Sequence, residues 1–281
     1  MKKWLASLIV FIIVGVLTAC GGTEDKKENS ETSKETTEIK EIKIGATAGP
    51  YSDMLAKAII PGLEAKGYKV EVVEFSDYIQ PNKALDTGDI QANLFQHSIY
   101  LNNFSEQNKM DLTALITVPT APMGIYSNAF TSLDDVKAGA AITIPNDPTN
   151  AARAFNILQD QGLITLSKDA NPLTVSEKDI TENKKNLKFQ PLEAGQLPRS
   201  LDSTDLAAVP GNFALAAKMK LLDALALENM LDSYRNVVAV KTDNKDSQLA
   251  KDIKEVVESD EYENVIDQEF KGFGKPDWMK E

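Results

Sequence analysis

Ile42-Lys43-Ile44-Gly45-Ala46 alternates apolar and polar residues, which is the pattern of a β-strand. Gly49-Pro50 interrupts this pattern, residues 53 to 66 follow as a predicted helix, and Gly67 ends that helix. Residues 70 to 75 then predict a second strand. A strand, a helix and a strand in this order form a βαβ unit, which requires a parallel sheet. The sequence therefore predicts an α/β fold, in which ligands bind at the carboxyl ends of strands.

The turns that follow these two strands are the first candidate site. Residues 47 to 52 and 76 to 80 form the turns, and the larger side chains that they offer are Tyr51, Asp77 and Tyr78. Since the carboxyl ends of parallel strands meet at one edge of the sheet, these side chains are candidates for contact with one ligand.

A further strand is predicted at the apolar residues 141 to 144, and the turn and helix start that follow it are Pro145-Asn146-Asp147-Pro148-Thr149-Asn150-Ala151-Ala152-Arg153-Ala154-Phe155. Asp147 is a suitable N-cap, and Pro148 suits the first helical position. On a helical wheel Thr149, Asn150 and Arg153 share one side. Free N–H groups and a guanidinium on one face suit a carboxylate ligand. The alternative is a solvated helix start with a surface arginine.

His97 is the only histidine of the chain and follows a predicted strand at residues 90 to 95. One histidine argues against a histidine-rich metal site and against an enzyme that needs a histidine pair. Three roles remain open for this side chain: a hydrogen-bonded core residue, a ring that contacts a ligand, or a general base. Arg199 also follows a strand, and both a structural ion pair and a ligand contact remain open for it.

The N-terminus has the pattern of a secretory signal. Lys2 and Lys3 precede an apolar run from residue 5 to residue 17, and Leu17-Thr18-Ala19-Cys20 follows. This end resembles the bacterial lipobox, which implies that the chain is cut after residue 19 and that Cys20 is lipidated. Residues 23 to 38 contain no apolar side chain, so we predict a disordered tether. The expected location is the extracytoplasmic face of the cell membrane.

The acidic charge of the chain argues against anionic partners. The formal net charge is −12, and removing residues 1 to 19, with two lysines, makes it −14. Nucleic acids and anionic lipid headgroups attract a positive field, so an acidic chain argues against both as partners.

Two segments are candidates for the places where the chain crosses between two lobes. Pro119 and Pro122 separate two predicted strands, and residues 236 to 241 form a later apolar strand. We predict residues 1–19 as signal peptide, 20–40 as lipidated tether, 41–125 plus 241–281 as lobe 1, and 126–240 as lobe 2.

Six separated motifs resemble those of the methionine-binding lipoproteins of ABC importers, in the order in which that family has them. They are Val73-Glu74-Phe75-Ser76-Asp77-Tyr78-Ile79-Gln80-Pro81-Asn82-Lys83-Ala84-Leu85, Ala92-Asn93-Leu94-Phe95-Gln96-His97, Pro122-Met123-Gly124-Ile125-Tyr126-Ser127, Pro145-Asn146-Asp147-Pro148-Thr149-Asn150, Lys185-Asn186-Leu187-Lys188-Phe189 and Gln196-Leu197-Pro198-Arg199-Ser200-Leu201. The resemblance extends from residue 42 to the end of the chain.

The resemblance implies a two-lobed periplasmic-binding-protein fold of type II, with mostly parallel sheets and a ligand cleft between the lobes. It implies that Tyr78 and His97 enclose the ligand side chain and that Asn150 and Arg153 hold its polar end, with Arg153 taking the carboxylate. It also implies an ABC permease and ATPase as partners, no cofactor, no metal and no catalysis.

The chain departs from the family pattern at two positions. Tyr51 stands where the family commonly has histidine, and Pro210 stands where the family has an asparagine that contacts the ligand's amino-acid head. Asn212, two residues further on, is the candidate replacement. The expected ligand is L-methionine, and the alternatives are another amino acid or a short Met-containing peptide. Two other classes are an extracytoplasmic enzyme with His97 as base, and an adhesin-type surface lipoprotein.

Overall fold

Two five-stranded sheets carry the fold of residues 40 to 280, the part of the chain that the computed structural model describes. Cys20, the signal peptide and nearly all of the tether lie outside the described residues. The strands are β1 (Lys40–Thr47), β2 (Tyr68–Phe75), β3 (Ala92–His97), β4 (Leu112–Val118), β5 (Gly124–Tyr126), β6 (Ala141–Pro145), β7 (Ile164–Leu166), β8 (Ile180–Asn183), β9 (Lys188–Leu192), β10 (Leu206–Val209), β11 (Ala226–Leu227) and β12 (Asn236–Lys241).

The helices connect these strands and cover the sheets. The α-helices are α1 (Pro50–Met54), α2 (Ile60–Ala65), α3 (Gln80–Thr87), α4 (Ser98–Asn108), α5 (Pro148–Asp160), α6 (Leu197–Ser200), α7 (Gly211–Ala216), α8 (Gln248–Val257) and α9 (Asp260–Glu269). One turn of π-helix (Leu55–Ile59) joins α1 to α2, so the predicted helix after β1 is one continuous segment. Its last part contains Pro61, which has no N–H to donate to the preceding turn.

The first sheet has the order β2-β1-β3-β12-β4, and the second has the order β11-β5-β10-β6-β9. Four strands of each sheet run in one direction, and the opposite strand is β12 in the first sheet and β5 in the second. The predicted α/β fold with mostly parallel sheets is therefore confirmed. Strands β7 and β8 form a separate antiparallel pair.

The chain passes twice between the sheets. The first passage is residues 119 to 123, between β4 and β5, where the sequence has its two prolines. The second passage is residues 228 to 235, between β11 and β12. The whole of β12 pairs with β3 and β4 of the first sheet, so the lobe boundary predicted at residue 240 cuts through this strand. Strand β5 likewise pairs within the second sheet, although the prediction gave residues 124 and 125 to lobe 1. The division into lobes stays a prediction.

Each sheet has its own apolar core. The core of the first sheet includes Ile44, Leu94 and Val238 and is covered by α8 and α9, whereas the core of the second includes Ile142, Phe155 and Leu158. The central strand β3 is buried along its full length, while the edge strand β2 largely alternates between exposed and partly buried residues. Such alternation is expected of a strand with one solvated face.

The polar segment from residue 168 to 185 contains little helix. Ser176 and Asp179 form a capping box, a pattern that favours a helix start, but the helix is a single 3-10 turn, Glu177–Asp179. The next residues, Ile180 and Thr181, are β-branched and pair with β7 as strand β8. Strand pairing therefore ends the helix after one turn. None of the helices between residues 40 and 280 has the length and apolar character needed to cross a membrane.

Candidate functional site

One buried cavity between the two sheets brings together all six ligand-binding residues predicted from the sequence. It is nearly closed, with room for about one water molecule. The residues that line it are Tyr51, Tyr78, Phe95, Gln96, His97, Tyr100, Thr120, Ala121, Asn150, Arg153, Pro210, Gly211, Asn212 and Asn236. The first sheet supplies its wall from the carboxyl ends of β1 and β3, and the second from those of β6 and β10. This is the location where parallel sheets place their ligand sites.

Tyr51 lies in the first turn of α1, directly after β1. Gly49 precedes it with φ 99°, and a Cβ added there would lie 2.9 Å from the Cβ of Ala216 in α7. Glycine is needed at this position for both reasons. The Tyr51 hydroxyl accepts a hydrogen bond of 3.4 Å from the Ala121 backbone N–H. Burial raises the pKa of Tyr51, so its hydroxyl is neutral at physiological pH.

Tyr78 and Asn212 meet across the cavity from opposite sheets. The Tyr78 hydroxyl donates a 2.7 Å hydrogen bond to Oδ1 of Asn212, and Nδ2 of Asn212 donates to Oγ1 of Thr47 at 3.4 Å. Asn212 lies in the first turn of α7, immediately after Gly211, and is 3% exposed. Pro210 lines the same cavity but has no amide side chain to offer. Asn212 is therefore the amide nearest in sequence to the family's asparagine position.

His97 and Asn150 form a further hydrogen bond between the sheets. The Tyr100 backbone N–H donates to Nδ1 of His97 at 3.1 Å, so the ring proton is on Nε2. Nε2 then donates to Oδ1 of Asn150, 3.2 Å away. Burial, and secondly the charge of Arg153, lowers the pKa of His97 to about 3, although the hydrogen bond that His97 donates to Asn150 acts to raise it. His97 is thus a neutral, hydrogen-bonded ring in the cavity wall.

The helix start at Asp147 differs from its prediction in one respect. The expectation was a set of free N–H groups facing an anion, but the Asp147 carboxylate caps α5. It accepts from the backbone N–H of Asn150 at 2.9 Å, from the hydroxyl of Thr149 at 2.8 Å and from Nδ2 of Asn150 at 3.0 Å. The protein's own carboxylate therefore occupies the anion position of this helix, and Thr149 does not line the cavity.

The guanidinium of Arg153 also has a partner that the sequence did not indicate. Its Nε donates to Oε2 of Glu228 at 2.9 Å and its Nη2 donates to Oε1 of Glu228 at 2.5 Å. Nη1 donates to Oδ1 of Asn150 at 2.9 Å, and the guanidinium lies 5.4 Å from the centre of the Tyr234 ring. The alternative of a solvated surface arginine is wrong, because the side chain is only 5% exposed. Burial acts to lower the pKa of Arg153, but Glu228 outweighs it and the pKa is raised.

Several residues of the site were missed by sequence reasoning. Asn236 and Thr120 line the cavity, and the Asn236 backbone N–H donates to the Thr120 hydroxyl at 2.7 Å. Asn236 could have been recognised from the sequence, because it is a polar residue at the start of the apolar strand β12. Glu228 had no such signal, since it is one of many acidic residues. Arg199 is exposed and does not line the cavity.

Aromatic rings form the apolar part of the cavity wall, and Phe213 packs behind them. Tyr78 lies 4.9 Å from Phe213, 5.8 Å from Phe95 and 5.8 Å from Tyr100, measured between ring centres. Tyr78, Phe95 and Tyr100 come from the first sheet, and Phe213 comes from the second. Polarisable and apolar groups such as a thioether pack well against rings in this arrangement.

The two-sheet α/β fold with a buried cavity between the sheets is shared with solved substrate-binding proteins, so the chain is a two-lobed substrate-binding protein, a transport protein rather than an enzyme. Within this class the chain belongs to the NlpA lipoprotein family, whose model matches residues 42–278. The family resemblance found in the sequence is therefore confirmed.

Individual relatives are similar over nearly the whole chain. The D-methionine-binding lipoprotein MetQ of Salmonella typhi is 35% identical over 279 residues, which is 98% of this chain and 99% of the relative. MetQ of Escherichia coli strain K12 is 34% identical with the same coverage. Among solved structures, a nutrient binding protein from Burkholderia cenocepacia bound to methionine has a TM-score of 0.78 and 40% identity, covering 82% of this chain and 97% of that one. The methionine binding protein MetQ has a TM-score of 0.79 and 35% identity, covering 84% and 97%.

Proposed function

We propose that this chain is the lipid-anchored substrate-binding protein of an ABC importer, that it captures L-methionine between two lobes, and that it delivers the ligand to a permease. The observation that carries the proposal is the convergence of Tyr51, Tyr78, His97, Arg153 and Asn212, with Asn150, on one buried cavity. The names of the MetQ relatives and the methionine-bound structure from Burkholderia cenocepacia support methionine as the ligand.

The residues have distinct roles in this proposal. The ligand's carboxylate meets the N–H groups of Arg153 that Glu228 and Asn150 leave free. Its thioether packs among the rings of Tyr78, His97 and Phe95. The amide of Asn236 lines the cavity and supplies an acceptor for the ammonium group, a task for which Asn212 is less suited because its oxygen already accepts from Tyr78.

Closure is driven by contacts to both lobes, because a ligand shifts an equilibrium only through its differential affinity for the two states. The hydrogen bonds Tyr78 to Asn212 and His97 to Asn150 join the two sheets and belong to the closed state. The lipid on Cys20 holds the protein at the extracytoplasmic face of the cell membrane, within reach of the permease and its ATPase.

Calorimetry with L-methionine, D-methionine, the other amino acids and Met-containing dipeptides tests the ligand. Native mass spectrometry of protein purified without added ligand identifies one that co-purifies. A dipeptide or another amino acid that binds more tightly than methionine would replace it in the proposal. Tyr51 and Pro210, at the two positions of departure from the family, favour including these alternatives.

Arg153→Ala tests the assigned carboxylate contact. We expect a loss of about 2 to 5 kcal/mol in binding, or roughly a 30- to 4,000-fold weaker Kd. Arg199→Ala is the matched control, because Arg199 is exposed and outside the cavity. Arg153→Lys keeps a cation beside Glu228 and serves if the alanine variant does not fold. Affinity unchanged in a folded Arg153 variant would refute the assignment.

A further inference from the structure

Glu228 lies behind Arg153, outside the ligand cavity. It belongs to the second passage between the sheets, and its backbone N–H donates to the Met123 carbonyl at 2.9 Å. Its side chain is only 6% exposed, yet it does not line the cavity that holds Arg153 and Asn150. A buried carboxylate is costly unless it is paired, so its position calls for an explanation.

The hydrogen bonds of Arg153 define what is left for a ligand. A guanidinium has five N–H groups. Two of them, on Nε and Nη2, point to the Glu228 carboxylate, and one on Nη1 points to Oδ1 of Asn150. One N–H therefore remains on each terminal nitrogen. The Glu228 carboxylate holds the guanidinium through the Nε and Nη2 donors, and the Tyr234 ring covers one face of the guanidinium. The ligand therefore meets only the two remaining N–H donors.

Glu228 also cancels the charge of the cavity. Arg153 is the one cation among the residues that line it, and Glu228 is its buried counter-charge. The ring of His97 is neutral by its hydrogen bonds with Tyr100 and Asn150. The lining tyrosines are neutral because burial raises the pKa of each hydroxyl. The Asp147 carboxylate contacts the lining residue Asn150, but it is half-exposed and already accepts hydrogen bonds from the Thr149 hydroxyl and from the backbone and side-chain N–H groups of Asn150. Asp77 and Glu193 lie further out, beside Tyr100.

We propose that Glu228 is a positioning and specificity-determining residue, which balances Arg153 so that the closed cavity accepts ligands whose own charges sum to zero. This inference rests on the proposed function and deepens it. A zwitterionic amino acid adds no net charge to the buried site. A carboxylate without an ammonium group adds one negative charge, and an amine without a carboxylate adds one positive charge. Either would be desolvated without a counter-charge, at a cost of affinity.

Calorimetry with two ligands that differ only in the ammonium group tests the inference. L-Methionine is the zwitterion, and 4-(methylthio)butanoate has the same thioether chain and carboxylate without the amine. Wild type should bind L-methionine far more tightly than the anion. Glu228→Gln leaves Arg153 unbalanced, so the ratio of the two Kd values should shift at least tenfold toward the anion, while Glu228→Asp, which keeps the charge, should keep the wild-type ratio.

A merely structural role of Glu228 predicts a different result, because both ligands would then weaken by the same factor. Equal weakening in Glu228→Gln would overturn the inference. Glu193→Gln is the control for removing a carboxylate near the cleft, since Glu193 is half-exposed and outside the cavity, and its ratio should equal that of wild type.

Wild-type protein provides the measurement that does not depend on a folded variant. L-Methionine amide, which has the ammonium group but no carboxylate, should bind at least tenfold more weakly than L-methionine, as should 4-(methylthio)butanoate. An anion that binds wild type as tightly as the zwitterion would refute charge balance while leaving methionine import intact. If wild type binds a different amino acid, the comparison uses that amino acid and the corresponding carboxylic acid without the amino group. Absence of binding to every amino acid would overturn the proposed function and this inference together.

Discussion

Acid should destabilise this protein through its single histidine. His97 is 2% exposed, and its pKa of about 3 lies well below the ordinary value of 6.5. Because the folded pKa is depressed, the unfolded chain takes up a proton as pH falls through 6.5 while the folded chain does not. Stability from this group is complete above pH 6.5 and is lost progressively down to about pH 3. The expected loss is about 1.4 kcal/mol between pH 8 and pH 5.5, with a limiting slope of about 1.4 kcal/mol per pH unit.

Urea unfolding of ligand-free protein at pH 8, 7, 6.5 and 5.5 measures this loss. His97→Asn is the matched variant, since asparagine also caps helices and does not titrate in this range. Burial raises the pKa of Glu193, which acts in the opposite direction as pH falls, but this contribution is common to both proteins and cancels in the comparison. Between pH 8 and pH 5.5 the free energy of unfolding of wild type should fall by about 1.4 kcal/mol more than that of His97→Asn.

A direct readout of the same reasoning comes from NMR. Since the chain contains one histidine, its Cε1–H resonance is assigned without ambiguity. That resonance should not titrate in folded protein above about pH 4. A midpoint near pH 6.5, or identical acid dependence of wild type and His97→Asn, would refute the buried neutral ring.

Two further substitutions test the closed state. Tyr78→Phe removes the donor to Oδ1 of Asn212 and leaves that oxygen unpaired in the closed state. Methionine should therefore bind about 1 to 2 kcal/mol more weakly by calorimetry, while the thermal stability of the free protein changes little. Affinity equal to that of wild type would exclude this hydrogen bond as a closing contact. Gly195→Ala adds a Cβ 2.8 Å from the Ser76 carbonyl oxygen of the opposite sheet, outside the cavity, and should weaken binding by about 1 to 3 kcal/mol through opposed closure. Gln196→Ala, a substitution at the exposed neighbouring residue, is the control and should bind methionine as tightly as wild type. Wild-type affinity of Gly195→Ala would show that binding does not require Gly195 and Ser76 to approach this closely.

The sequence determined the elements and the family. The alternation before Tyr51, the N-cap and proline before Asn150 and the strand before His97 are local patterns, and each was enough to predict a strand end or a helix start. Parallel strands bring such ends to one edge, so the rule of the α/β sheet indicated most of the site before any contact was known.

The tertiary structure decided the partners of these residues. Glu228 lies 75 positions after Arg153, and nothing in the local pattern of either residue predicts the fork between them. Asn236 reaches the cavity because β12 runs antiparallel between β3 and β4, which places the amino end of this strand beside the carboxyl ends of its neighbours. Local sequence sets backbone conformation within a few residues, whereas charge pairing in a buried site depends on which distant segments pack together. For that physical reason the sequence predicted Arg153 as a ligand contact, and only the fold showed the carboxylate that pairs with it.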